Sequence, residues 1–202
     1  KIGNFAFNGC SSLTQITIPS SVTSIGNSSF ERCSSLTHLT FEIPSSVTSI
    51  GNNAFRVCSS LKQIIIPSSV NTIGNNVFDG CSSLSDIEFK IPSSLRSIGY
   101  DCFARCKSLI GLLIPSSVTS YNLQSFKECT SLRQISIPSS VTSIRKFAFS
   151  HSESLTQITI PSSVSSIEDN AFSGCSSLTQ ITIPSSVTSI GDYAFSGCSS
   201  LT

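Results

Sequence analysis

Nine cysteines carry most of the chemistry available to this 202-residue chain. Eight hold one position of a repeating frame, at 10, 33, 58, 81, 106, 129, 175 and 198, and Ser152 takes that position once. Rungs of a stacked repeat lie on the order of 5 Å apart, within the Cα separation a disulfide accepts, so chained disulfides are one possible outcome. Packing favours another. Each frame cysteine has a Phe three residues before it and a Leu three residues after it, as Phe30, Cys33 and Leu36 do. At that spacing a thiol serves as a small buried apolar group, and reduced, buried thiols are expected. Cys102 stands off the frame, four residues before Cys106. Without a second pair or a nearby His, the two do not make a zinc site.

Other candidates for catalysis are sparse. His38 falls on an exposed strand face and His151 near a corner, and neither has a partner. Serines are abundant, but they fall at corners and solvent-facing positions, where a hydroxyl supports turns without ionising. A serine nucleophile needs an adjacent base and oxyanion donors, and no such set stands out. The glycines are single and locked to the frame, unlike a phosphate-cradling loop. The chain reads as non-enzymatic, with no cofactor and no metal.

The formal net charge is +1 with 11% charged residues, which leaves no electrostatic footprint for nucleic acid or an anionic membrane. The longest apolar runs are pieces such as Ile64 to Ile66, far short of a membrane span. Lys1 opens in mid-repeat with neither an initiator Met nor a signal peptide, and a fragment of a longer array is expected.

What must position these groups is a period. Taking the residue before the recurrent Gly as the start, units open at Ile2, Ile25, Ile50, Ile73, Ile98, Tyr121, Ile144, Ile167 and Ile190, at intervals of 23 or 25 residues. The phrase CSSLTQITIPSSVTSIG stands at Cys10 to Gly26 and again at Cys175 to Gly191. A unit this short cannot bury its apolar positions alone and must stack on copies. Residues 1–202 therefore read as a single domain of about nine repeats around one continuous core.

Within the first unit, Leu13-x-x-Ile16-x-Ile18 ends in alternation, which puts Ile16 and Ile18 on one face of a strand and Gln15 and Thr17 on the other. Pro19 ends the pairing and Ser20 and Ser21 suit a corner. Val22 and Ile25 return to the core through a second extended segment, before Gly26 opens another corner. The spacing of Phe30, Cys33 and Leu36 predicts a short helical or 3₁₀ turn. Parallel strands are expected near 14–18, 37–43, 62–66, 85–91, 110–114, 133–137, 156–160 and 179–183.

The two longer units carry two extra residues between the Leu and the Pro, in LTHLTFEIPSSV (Leu36 to Val47) and LSDIEFKIPSSL (Leu84 to Leu95). An even insertion preserves the face of a strand. Leu39, Phe41 and Ile43 are thus expected inside, as are Ile87, Phe89 and Ile91, with a bulge where Glu42 and Lys90 emerge.

The Leu-x-x-Ile-x-Ile pattern resembles the leucine-rich repeat, and IGNNAFRVCSSLKQIIIPSSV (Ile50 to Val70) is similar to the BspA-like subclass, a resemblance that covers the whole chain. It implies an α/β repeat fold: a right-handed, curved solenoid with a parallel β-sheet on its concave face and short helical or 3₁₀ turns. It further implies a cell-surface or secreted protein of the kind linked to adhesion and matrix binding, with a protein or glycan partner on a host or matrix surface.

Against a repeated frame, variation is the guide to function. Outward strand positions run Gln15 and Thr17, then His38, Thr40 and Glu42, then Gln63 and Ile65, then Asp86, Glu88 and Lys90, then Gly111 and Leu113. From Gln134 onward they are nearly uniform. Ile65 and Leu113 are apolar where the frame has Thr, and they flank a charged rung. Partner binding is therefore expected around Ile65, Glu88 and Leu113, with His38 and Asp86 at the edges. Drift among degenerate repeats is the rival explanation. A structural role is the alternative function, with uncapped ends stacking into a filament or coat. Asn27-Ser28-Ser29 is the one glycosylation sequon.

Overall fold

The computed structural model describes residues 1–121 and 125–202, with the backbone alone at Ser120 and Tyr121. The corner that follows Tyr121 in the sixth unit lies outside the described residues. Sixteen short strands alternate along the described chain. The first eight are β1 (Gln15–Ile18), β2 (Ser24–Ile25), β3 (His38–Phe41), β4 (Ser49–Ile50), β5 (Gln63–Ile66), β6 (Thr72–Ile73), β7 (Asp86–Phe89) and β8 (Ser97–Ile98). The rest are β9 (Gly111–Leu113), β10 (Ser120–Tyr121), β11 (Gln134–Ser136), β12 (Ser143–Ile144), β13 (Gln157–Thr159), β14 (Ser166–Ile167), β15 (Gln180–Thr182) and β16 (Ser189–Ile190).

The odd-numbered strands form two parallel sheets, ordered β1-β3-β5-β7 and β9-β11-β13-β15. The even-numbered strands form β2-β4-β6-β8-β10 and β12-β14-β16. Order within each sheet follows the chain, so every unit makes one circuit and the protein is a parallel-sheet β-solenoid. The alternation read from sequence sets which side chains go inward: Ile64 and Ile66 are each 1% exposed, whereas Ile65 is 46% exposed.

A column of phenylalanine rings, one from each unit, runs through the core. From Phe7 to Phe195 successive rings stack at 4.9 to 5.9 Å between centroids, with planes within 16°. Seven of these rings, from Phe30 to Phe172, are fully buried. In the Pro-Ser-Ser-Val corners of the 23-residue pattern the Val amide donates to the Pro carbonyl, at 3.1 Å for Val70 and Pro67, whereas in the longer unit the Val47 amide donates to the Ser45 hydroxyl at 3.3 Å. At Ser69, Ser140, Ser163 and Ser186 the second Ser donates its hydroxyl to the Val carbonyl one unit back, at 2.8 Å for Ser69 and Val47 and 2.6 Å for Ser140 and Val118, whereas the Ser117 hydroxyl is buried without a partner among the described residues.

Two expectations need correction. The segment from Phe to Leu is a chain of separate turns; no helical or 3₁₀ segment occurs among the described residues, so the fold is all-β where α/β was expected. Some amides there do bond three residues back, as in Cys33 to Phe30 (3.2 Å) and Leu36 to Cys33 (3.0 Å). Their neighbours reach to the next unit instead, Phe30 to Ala54 and Arg32 to Arg56, both at 2.8 Å. Left-handed residues aim the amides this way, Ser28 at φ 51° and Arg32 at φ 62° here, and they interrupt any helical run.

The second correction concerns Ile43 and Ile91, which are 87% and 84% exposed rather than inside. Register explains it. Phe41 pairs with Ile18 and Phe89 with Ile66, so these Phe residues already occupy the last core position of each strand. The two extra residues that follow have no core left to face, and they bulge outward ahead of Pro44 and Pro92. The disturbance carries into the next unit. β3 matches β1 at four positions but β5 at one, and β7 matches β5 at four but is not laddered to β9.

Candidate interaction face

The outward face of the odd-numbered strands holds all five residues singled out from sequence. His38 pairs with Gln63, which pairs with Asp86, and these make one row across β3, β5 and β7. Ile65 pairs with Glu88 in the next row. Leu113, at the corresponding position of β9, pairs with Ser136 on its far side. The interrupted ladder between β7 and β9 therefore runs through the middle of this face, with Glu88 on one bank and Leu113 on the other.

Exposure and charge define what the face offers. Leu113 is 76% exposed beside Gly111, which has no side chain to cover it. A depression of about 370 Å³ opens there, lined by Gly111, Leu112, Leu113, Gln134, Ile135 and Ser136. Lys90 Nζ lies 2.7 Å from Glu88 Oε1, so the charged rung presents a half-exposed ion pair. His38 Nδ1 is 2.8 Å from the Thr37 hydroxyl, which orients the ring at the edge of the row. The composition is two aliphatic points, Ile65 and Leu113, flanking a carboxylate and an ammonium.

Three aliphatics next to these strands in sequence were not read as exposed: Ile43, Ile91 and Ile110, the last 55% exposed. Ile110 alone carried a signal, because that frame position elsewhere holds Thr, Ser, Lys or Arg. Also unread was a row of charges on the turn side. Glu31, Arg56 and Asp79 each directly follow a stacked Phe, at the same frame position with alternating sign. Arg56 contacts Glu31 at 2.8 Å and Asp79 at 3.1 Å, and Arg105 contacts Asp79 at 2.6 Å. Asp79 is 5% exposed and accepts from both guanidiniums. Burial, with a smaller contribution from Asp79, pushes the nearby Asp101 carboxyl above the usual carboxylate range.

The frame cysteines are free thiols; Cys10 is exposed, Cys198 half-buried and the others buried. From Cys33 onward each Sγ donates to the Phe carbonyl of the preceding unit, at 3.1 Å for Cys81 and Phe55 and for Cys175 and Phe149. Burial pushes the Cys129 and Cys175 thiols up to about 12, and the less enclosed Cys33 to about 11. A thiol held protonated in this way is a poor nucleophile and a poor ligand. Among the described residues no group of three or more His, Cys, Asp or Glu is placed to hold a metal ion.

The model of the BspA type leucine rich repeat region, a six-copy model, matches residues 1–110 and again 87–202. No curated protein gives a significant match. Among solved structures, a leucine-rich repeat protein of T. pallidum is 27% identical, covering 99% of this chain and 81% of that one with a TM-score of 0.70. The pneumococcal vaccine antigen PcpA is 23% identical over 94% of this chain and 61% of its own, with a TM-score of 0.56. A leucine-rich repeat protein of Bacteroides ovatus is 21% identical, covering 98% and 80% with a TM-score of 0.52. The last two bear on the fold alone.

Proposed function

Because the chain belongs to the BspA-type leucine-rich repeat family, we propose that it is a non-catalytic interaction module, displayed at a cell surface or secreted, that holds a partner on the outward face of its odd-numbered strands. The observation that carries this reading is the grouping of the frame's exceptions: Ile65 opposite Glu88 in register, and Leu113 across the interrupted ladder. Rigidity is supplied by every unit alike, so recognition falls to the positions that differ. Exposed aliphatic points beside a carboxylate and an ammonium suit a protein surface with apolar anchors and a charged rim better than they suit a uniformly hydroxylated glycan. The partner is expected on a host or matrix surface.

The test is retention of the protein on immobilised matrix glycoproteins, before and after deglycosylation, for wild type, Leu113→Glu and Ile65→Lys. Retention that survives deglycosylation and is lost in both variants, with unchanged thermal unfolding, supports the proposal. Retention that persists in both variants refutes the face. Sedimentation of each variant alone separates partner binding from self-stacking.

A further inference from the structure

The corner between the even-numbered strands and the Phe turns carries a second periodic surface. Asn27 Oδ1 accepts the Asn52 amide at 2.8 Å, Asn52 Oδ1 accepts the Asn75 amide at 2.9 Å, and Asn75 Oδ1 accepts the Tyr100 amide at 3.1 Å. These bonds fix each carboxamide with its oxygen toward the next unit. The Nδ2 donors of Asn27, Asn52 and Asn75 make no hydrogen bond among the described residues and form a row along the stack.

A parallel row comes from Ser49, Thr72 and Ser97, the outward residues of β4, β6 and β8, whose neighbours Ile50, Ile73 and Ile98 point into the core. Between the rows the floor is glycine, and a Cβ there is excluded because at Gly51 it would fall 2.6 Å from Asn27 Oδ1. The result is an open depression of about 430 Å³, bordered at one end by Tyr100, which is 44% exposed.

We propose that this groove binds a neutral, linear polysaccharide lying along the stack, with one sugar ring per unit and Tyr100 packed against the ring at the end. Three features select that chemistry. None of the groove's lining residues is charged, so neither a polyanion nor a polycation finds a counterpart. The backbones of β4, β6 and β8 are paired on both sides, which leaves no strand edge for a peptide to extend. The hydroxyls and amides repeat at the rung spacing, 5.4 to 5.9 Å in the Phe column beneath, an interval that suits a polymer presenting hydroxyls ring by ring. In later units the same corner holds charged side chains, with Lys146 on Asp169 at 2.8 Å and Arg145 on Glu168 at 3.4 Å, so the neutral groove is confined to the earlier ones. This site lies apart from Leu113 and does not depend on the proposal for that face.

Calorimetric titration with cellohexaose, chitohexaose and the corresponding disaccharides tests the assignment. At least one hexasaccharide should bind, insensitively to salt, and its disaccharide about tenfold more weakly or not at all, a loss of about 1.4 kcal/mol or more. Tyr100→Ala, Thr72→Glu and Ser49→Lys should each weaken the hexasaccharide by about tenfold or more, with thermal unfolding unchanged, while Leu113→Glu leaves it intact. Failure of both hexasaccharides to bind wild type overturns the proposal. So does binding lost in Leu113→Glu but kept in Thr72→Glu, or a groove found occupied by a second copy of the chain.

Discussion

Ser152 stands to Phe126 as the frame cysteines stand to their phenylalanines: its hydroxyl donates a 2.8 Å hydrogen bond to the Phe126 carbonyl one unit back. Cysteine at this position is thus a small donor directed at a backbone carbonyl, and oxygen can replace sulfur. Cys81→Ser should accordingly shift urea unfolding little, whereas Cys81→Leu, which forces extra volume between fully buried Phe78 and Leu84, should cost about 1–3 kcal/mol. Equal destabilisation by the two would refute the donor role.

Phe78 lies 5.7 Å from the Phe55 ring and 5.9 Å from the Phe103 ring, with no exposed surface. Phe78→Ala should cost about 3–5 kcal/mol in equilibrium denaturation. Ser69→Ala should cost about 0.5–1.5 kcal/mol, because it removes a hydrogen bond to Val47 rather than a ring. A corner change as damaging as the ring deletion would contradict the placement of the core.

The buried thiols give stability a defined pH dependence. In the unfolded chain a cysteine ionises near its ordinary value of 9.0, whereas Cys129 and Cys175 in the fold hold their protons to about 12. The unfolded state therefore releases protons first, and the contribution of these thiols, level below pH 9.0, should fall between there and about 12. The slope is at most about 1.4 kcal/mol per pH unit for each such thiol. Denaturant midpoints measured across this range in wild type and Cys129→Ser check it; an unchanged slope in the variant would contradict the assignment.

Two kinds of ion pair should separate cleanly. Asp79→Ala removes the buried acceptor of Arg56 and Arg105 and should cost about 1–3 kcal/mol, with little response to salt. Glu88→Ala removes a half-exposed partner of Lys90 and should change stability by less than about 1 kcal/mol. Unfolding at low and high ionic strength distinguishes them.

The sheets were legible because strand alternation is a local property: Gln63–Ile66 fell within the expected 62–66, and Ile65 faced out as read. The Phe turn was misread because the spacing of Phe30, Cys33 and Leu36 fits a helix, while the amide of Phe30 is taken by Ala54 in another unit. Ile43 and Ile91 were misread because parity says which way a side chain points and not whether core remains opposite it. The Glu31, Arg56 and Asp79 row was present in the sequence at a constant offset from Phe, but it needed alignment by sign as well as by period. The groove was harder to read, since it depends on which carboxamide atom the next unit's amide engages.

The two 25-residue units have a consequence for how the chain finds its register. Cys10–Gly26 and Cys175–Gly191 are identical, so either segment would fit equally well against the other's neighbours. A chain of such units can slip by a whole unit during assembly and still bury phenylalanine on phenylalanine. The longer units break that degeneracy, because each is followed by a shortened or interrupted ladder, and a slipped pairing would set that break against units whose strands pair continuously. They work like keyed teeth in an otherwise uniform rack, penalising the wrong alignments through two extra residues that add nothing to the hydrophobic core.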